Sequence, residues 1–125
     1  MTETITSQMP VDISDALPTL TPGADWKWSF YYLDDNALPV DTTGYTVKMD
    51  IREYGPNGAL IKTLTTTSGI TNTPVNGQFD VAFLAADTTN IMVDVVVFDI
   101  FVTDNTGGVE PWYCGTIPVN PRVTK

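Results

Sequence analysis

Between residues 24 and 54 the chain reads ADWKWSFYYLDDNALPVDTTGYTVKMDIREY, and two alternating runs within it leave few folds open. In the first, Trp26, Trp28, Phe30 and Tyr32 share one parity, with Asp25, Lys27 and Ser29 on the other. In the second, Tyr45, Val47, Met49 and Ile51 alternate with Thr46, Lys48, Asp50 and Arg52. Successive side chains of a strand point to opposite faces, so a period of two with bulky residues on one side describes a half-buried strand. Leu38-Pro39 and Thr43-Gly44 interrupt the pattern and place turns between the runs. No stretch of the chain sustains a helical period, and the expectation is an all-β domain.

The rest of the chain repeats the theme. Leu60 to Thr66 reads as a strand entered through a Gly55-Pro56-Asn57-Gly58 hairpin turn, since Gly and Asn tolerate positive φ. A short strand follows around Ile70, and Asn76-Gly77 turns into Gln78 to Leu84, where Phe79, Val81 and Phe83 alternate with Asp80 and Ala82. Residues 85 to 90 suit a single helical turn or a tight crossover. Ile91 to Thr103 is the longest apolar run, as for a central strand covered on both faces. Asp104 to Gly108 turns the chain into a last strand, Trp112 to Val119. About seven antiparallel strands at this spacing form a two-sheet sandwich. Residues 1–22, with Pro10, Pro18 and Pro22 forbidding a continuous helix, read as an extended N-terminal arm, and 23–125 as the sandwich.

At 125 residues the chain makes one domain, able to bury about two-thirds of its unfolded surface without staples. Fifteen acidic against six basic residues give a net charge of -9, which repels phosphate backbones and anionic lipid. Nucleic-acid and membrane-surface partners are therefore not expected. No apolar run approaches the ~20 residues of a membrane span. The opening MTETITSQMP lacks the basic and apolar regions of a signal peptide, so synthesis in a cytosol is expected. The single Cys114 cannot form an internal disulfide.

The sequence contains no His, which removes the usual general base near neutral pH and excludes Ser-His and Cys-His catalysis. Cys114 has no basic sequence neighbour to activate it and reads as a small buried hydrophobe. Asp94 and Asp99 differ in parity within the long apolar run and cannot form a catalytic dyad. Asp99 is expected to be buried and paired with backbone N–H groups or with Arg52 across the sheets. Asp34-Asp35-Asn36 and Asp104-Asn105 offer oxygen ligands, but neither fits the calcium-loop pattern, and turn capping is the plainer reading. No cofactor or metal site is expected. Among the aromatic residues, Trp26, Trp28, Phe30 and Tyr32 suit a core face better than a sugar platform, while Tyr31 and Tyr113 fall on the other parities and are expected at an exposed interface.

Taken in order, Gly-Ala-Asp before an aromatic strand (Gly23 to Tyr32), Asp34 to Val40, Asp41-Thr-Thr-Gly-Tyr-Thr-Val-Lys-Met49 and Ile51-Arg52-Glu53 resemble the small β-domains of tailed-phage virion proteins. The N-terminal domain of the phage baseplate upper protein family is similar. Gly69-Ile70-Thr71, Gly77-Gln78-Phe79, Ala85 to Thr88, Val97 to Ile100 and Gly115 to Pro121 fall in the same order, so the resemblance spans about residues 22 to 124. It implies an Ig-like sandwich serving as a structural or adaptor module, and it carries over no catalytic residue. In that family the domain often anchors a longer receptor-binding chain; here the sequence stops at Lys125, so a fibre or tip is expected on another polypeptide.

The expectation is thus a non-enzymatic virion protein, made in the bacterial host cytoplasm and placed in the tail, baseplate or fibre-attachment region. Its partners would be other virion proteins and copies of itself. The arm would lie along a neighbour, anchored by Ile5, Val11, Ile13, Leu17 and Leu20, because extended segments add readily to sheet edges. Deleting residues 2 to 20 would then leave the sandwich folded but abolish assembly. A capsid cement or decoration protein is the alternative within the same class. A carbohydrate- or receptor-binding module, recognising a host-surface glycan through exposed Trp and Tyr, is the alternative outside it.

Overall fold

The computed structural model describes residues 2–5, 11–14, 17–54 and 58–120. Its strands are β1 (Thr2–Ile5), β2 (Val11–Asp12), β3 (Trp26–Tyr32), β4 (Thr46–Glu53), β5 (Leu60–Thr65), β6 (Ile70–Thr73), β7 (Gln78–Phe83), β8 (Val95–Thr103) and β9 (Val109–Pro118). A one-turn helix, α1 (Ala85–Thr88), separates β7 from β8. The Gly55-Pro56-Asn57 part of the expected hairpin turn lies outside the described residues.

The strands form two sheets, ordered β1-β3-β7-β6 and β2-β9-β8-β4-β5. Strands β3 to β9 pair only antiparallel, three in one sheet and four in the other. With β3 to β9 taken as B, C, C′, D, E, F and G, this is the strand order of an immunoglobulin-like sandwich. The expected fold class is what forms. The two N-terminal strands then add in parallel, β1 beside β3 and β2 beside β9.

Alternation in the sequence becomes alternation in burial. Trp26, Trp28 and Phe30 on β3 face Val47, Met49 and Ile51 on β4 and Val96, Phe98, Ile100 and Val102 on β8, all in one core. Immunoglobulin domains commonly join their sheets by a disulfide. Here aromatic rings fill the centre. Phe30 stacks on Phe79 at 5.1 Å and meets Trp112 and Tyr113 edge-on.

Two expectations change. Strand β8 starts at Val95 rather than Ile91, which leaves Asp94 outside it. It is central in its sheet but covered on one face only: Phe101 and Asp99 are exposed while the alternate residues are buried. The valine-rich run simply puts apolar residues on both faces of a one-sided sheet. The second change concerns the N-terminal arm. Its described residues are not separate from the sandwich, because Ile13, Leu17 and Leu20 lie in the core.

Candidate assembly surfaces

The described residues between 2 and 20 supply the outermost strand at one edge of each sheet. Strand β1 runs from Thr2 opposite Ser29 to Ile5 opposite Tyr32, and β2 sets Val11 opposite Tyr113 and Asp12 opposite Cys114. The edge pairing continues past β2. Ile13 N donates to Cys114 O, Ser14 Oγ accepts from Thr116 N, and Leu20 N donates to Pro118 O at 2.9 Å. Trp26 Nε1 donates to Pro18 O at 2.8 Å. Of the five expected anchors, Ile5 and Val11 are thus strand residues paired within the chain. Ile13, Leu17 and Leu20 are 4%, 8% and 0% exposed in the chain's own core. They are core residues here and not free anchors for a neighbour. Sequence periodicity could not show this, because a short, Pro-interrupted edge segment buries single residues at irregular intervals.

Tyr31 sits half-buried on the outer face of β3, opposite Gln78. Tyr113 does not reach a surface: it is 1% exposed and packs edge-on against Trp28 at 5.9 Å. The β8–β9 register explains this burial. Ile100 pairs with Tyr113 and Phe101 with Pro111, so Trp112 is an extra residue in β9. Such a bulge breaks the two-residue alternation and lets the neighbours Trp112 and Tyr113 both enter the core.

The loops 33–45, 74–77 and 104–108 gather at one end of the sandwich. Thr42 N donates to Pro74 O, Tyr32 N donates to Gly77 O, and Gly44 abuts Asn105. Their aspartates fold the turns. Asp34 Oδ1 accepts from the amides of Asn36 and Leu38, Asp41 Oδ1 from Thr43, and Asp104 Oδ1 from Thr106 and Gly108. The Thr43 hydroxyl, then its amide, holds the Asp41 carboxyl below its ordinary range. The Thr106 hydroxyl, followed by the Gly108 and Thr106 amides, does the same for Asp104. Partial burial, and then the nearby Tyr32, Asp104 and Glu110, push the Tyr45 phenol up. Among the described residues no three His, Cys, Asp or Glu side chains group as a metal site. No described helix is long and apolar enough to cross a membrane.

The outer face of the five-stranded sheet is chemically mixed. Lys48, Asp50 and Arg52 on β4 share it with Val97, Asp99 and Phe101 on β8. Asp99 is exposed there and not buried as expected, and neither it nor Arg52 makes an ion pair or side-chain hydrogen bond among the described residues. Arg52 stands on the neighbouring strand of the same sheet, not across the core. Beside these residues lies an open depression of about 640 Å³, bordered by Thr46, Lys48, Thr65, Phe101, Thr103 and Val109. Parity alone placed Lys48, Asp50 and Arg52 on one face; that Asp99 stands opposite Asp50 needed the strand register.

Compared with known proteins, the chain matches no family model and no curated protein.

Proposed function

We propose that this chain is a non-enzymatic structural module of a tailed-phage particle, an adaptor in the tail, baseplate or fibre-attachment region. The sequence resemblance over residues 22 to 124 supplies the phage context. The observation that carries the assembly reading is how residues 2–20 join the fold. An extended segment adds a strand to one edge of each sheet, in β1 and β2. Among the described residues β1 and β6 are the outermost strands of one sheet and β2 and β5 of the other, and none of these borders a further strand on its outer side. An exposed edge offers unpaired backbone groups to any extended segment that reaches it. Because the arm is used within the chain, the docking role passes from the arm to these open edges and to the outer sheet faces.

A structural role also suits the polar chemistry. The carboxylates of Asp34, Asp41 and Asp104 accept hydrogen bonds from turn backbones, and Asp50 and Asp80 accept them from strand neighbours. The sequence has no His to act as a base.

Immunogold labelling of particles of the source phage, with antibody against the purified chain, tests this. Gold at the tail or its tip is the expected result. Gold spread over the head would replace the tail adaptor with a capsid decoration protein. No gold, with the epitope shown to be accessible, would overturn the virion assignment and favour a glycan- or receptor-binding module.

A further inference from the structure

We propose that the outer face of the five-stranded sheet receives a second copy of the chain, in an isologous face-to-face pair centred on Asp50, Asp99 and Arg52. This deepens the assembly reading by naming the surface on which copies meet.

Register provides the first argument. Asp50 and Asp99 are directly opposed on the adjacent strands β4 and β8. Like charges in that position destabilise a sheet. Asp50 is partly relieved, since Thr63 Oγ1 donates to it at 2.7 Å and Lys48 Nζ lies 3.9 Å away. Asp99 has no such relief. Arg52, opposite Val97 and so one diagonal from Asp99, has no partner either among the described residues. An unmatched anion and an unmatched cation therefore stand side by side on one exposed face.

Charge complementarity then selects the occupant. The whole chain carries -9, so two copies repel over most of their surfaces. On this face Lys48 and Arg52 offset most of the charge of Asp50, Asp99 and Asp12, the last of which shares their register row through Cys114. A two-fold axis through it sets Arg52 of each copy against the partner's Asp99, and isologous symmetry makes that pair twice. Phe101, 40% exposed, and Val109, 62% exposed, supply apolar surface beside the charges. The depression they border gives room for the partner's Phe101. Aromatic and Arg side chains are the residue types that most often carry binding energy at such contacts.

Sedimentation equilibrium of the full chain, from micromolar to millimolar concentration, tests the pair. A reversible dimer is expected. Arg52→Glu and Asp99→Arg should each weaken it at least about tenfold, and the combined exchange should restore it, because the pair re-forms with its charges reversed. Phe101→Glu should abolish the dimer. All three sites are exposed, and circular dichroism with thermal melts will verify folding. Asp99→Arg should also raise the monomer's melting temperature, since it replaces the repulsion with Asp50 by attraction. A chain monomeric throughout, or a dimer indifferent to Arg52→Glu and Phe101→Glu, would overturn the inference. If the chain nonetheless incorporates into particles, the adaptor reading survives and assembly runs through the open edges; if it is also absent from particles, both fall.

Discussion

Leu20 shows how much a single side chain decides here. It has no exposed surface, its amide donates to Pro118 O, and its carbonyl accepts from Asn120 N. Leu20→Ala should destabilise the purified domain by about 2–5 kcal/mol, as buried leucine truncations do. A denaturant titration that finds no loss would return Leu20 to the surface. Gly77 is constrained differently. It adopts φ 57, and a Cβ there would come within 2.5 Å of Tyr32 O and 2.8 Å of Val40 O. Both atoms are backbone, so Gly77→Ala should cost more than the ~1 kcal/mol of a left-handed conformation alone, read as a lowered denaturant midpoint. The turn aspartates have a pH signature. Because the carboxyls of Asp41 and Asp104 are held below their ordinary value of 3.8, their contribution is complete above that value. It fades as pH falls through their lower folded values. The double variant Asp41→Asn with Asp104→Asn keeps an oxygen acceptor in each turn but cannot titrate, so its melting temperature should fall less steeply below pH 3.8 than that of the parent chain. The turn role of Asp41 had not been singled out, whereas that of Asp104 was legible from the Asx pair Asp104-Asn105 ahead of Gly107-Gly108. Tyr113 was not, because its burial depends on one extra residue in β9 whose pairing only the register reveals.

At the scale of the element, the strands that alternate cleanly were the readable ones. Strands β3, β4 and β7 each bury one parity against a single core, and their hydrophobic period carries that directly. Strand β8 misleads because Val95, Val97 and Phe101 are apolar on the face that remains uncovered. The N-terminal segment misleads in the opposite direction, since two short edge strands and three scattered core residues leave no period to find. Its energetic weight is large. Burying Ile13, Leu17 and Leu20 contributes about 1.5–3 kcal/mol each, a sum comparable to the ~5–15 kcal/mol that stabilises a whole domain. Deleting residues 2–20 should therefore unfold the sandwich, contrary to what the arm reading implied. Deleting residues 2–5 removes only β1 and should leave a cooperative melt. Circular dichroism separates the cases: a folded chain lacking 2–20 would show that the segment is an appendage after all.

Over the whole molecule, the all-β sandwich follows from alternation, turn chemistry and the absence of helical periods. How its surfaces are used does not, because edges and outer faces are defined by which strands become neighbours. Open sheet edges, an outer face of mixed charge and acidic turns at one end are the surfaces on which the proposed adaptor would meet its neighbours in a tailed-phage particle. Peptide mass spectrometry of gradient-purified particles, washed at high salt, tests that claim most directly. The chain is expected to be retained in a fixed ratio to the other particle proteins. Its loss from washed particles, with the chain recovered only in the soluble lysate, would contradict a structural role in the virion.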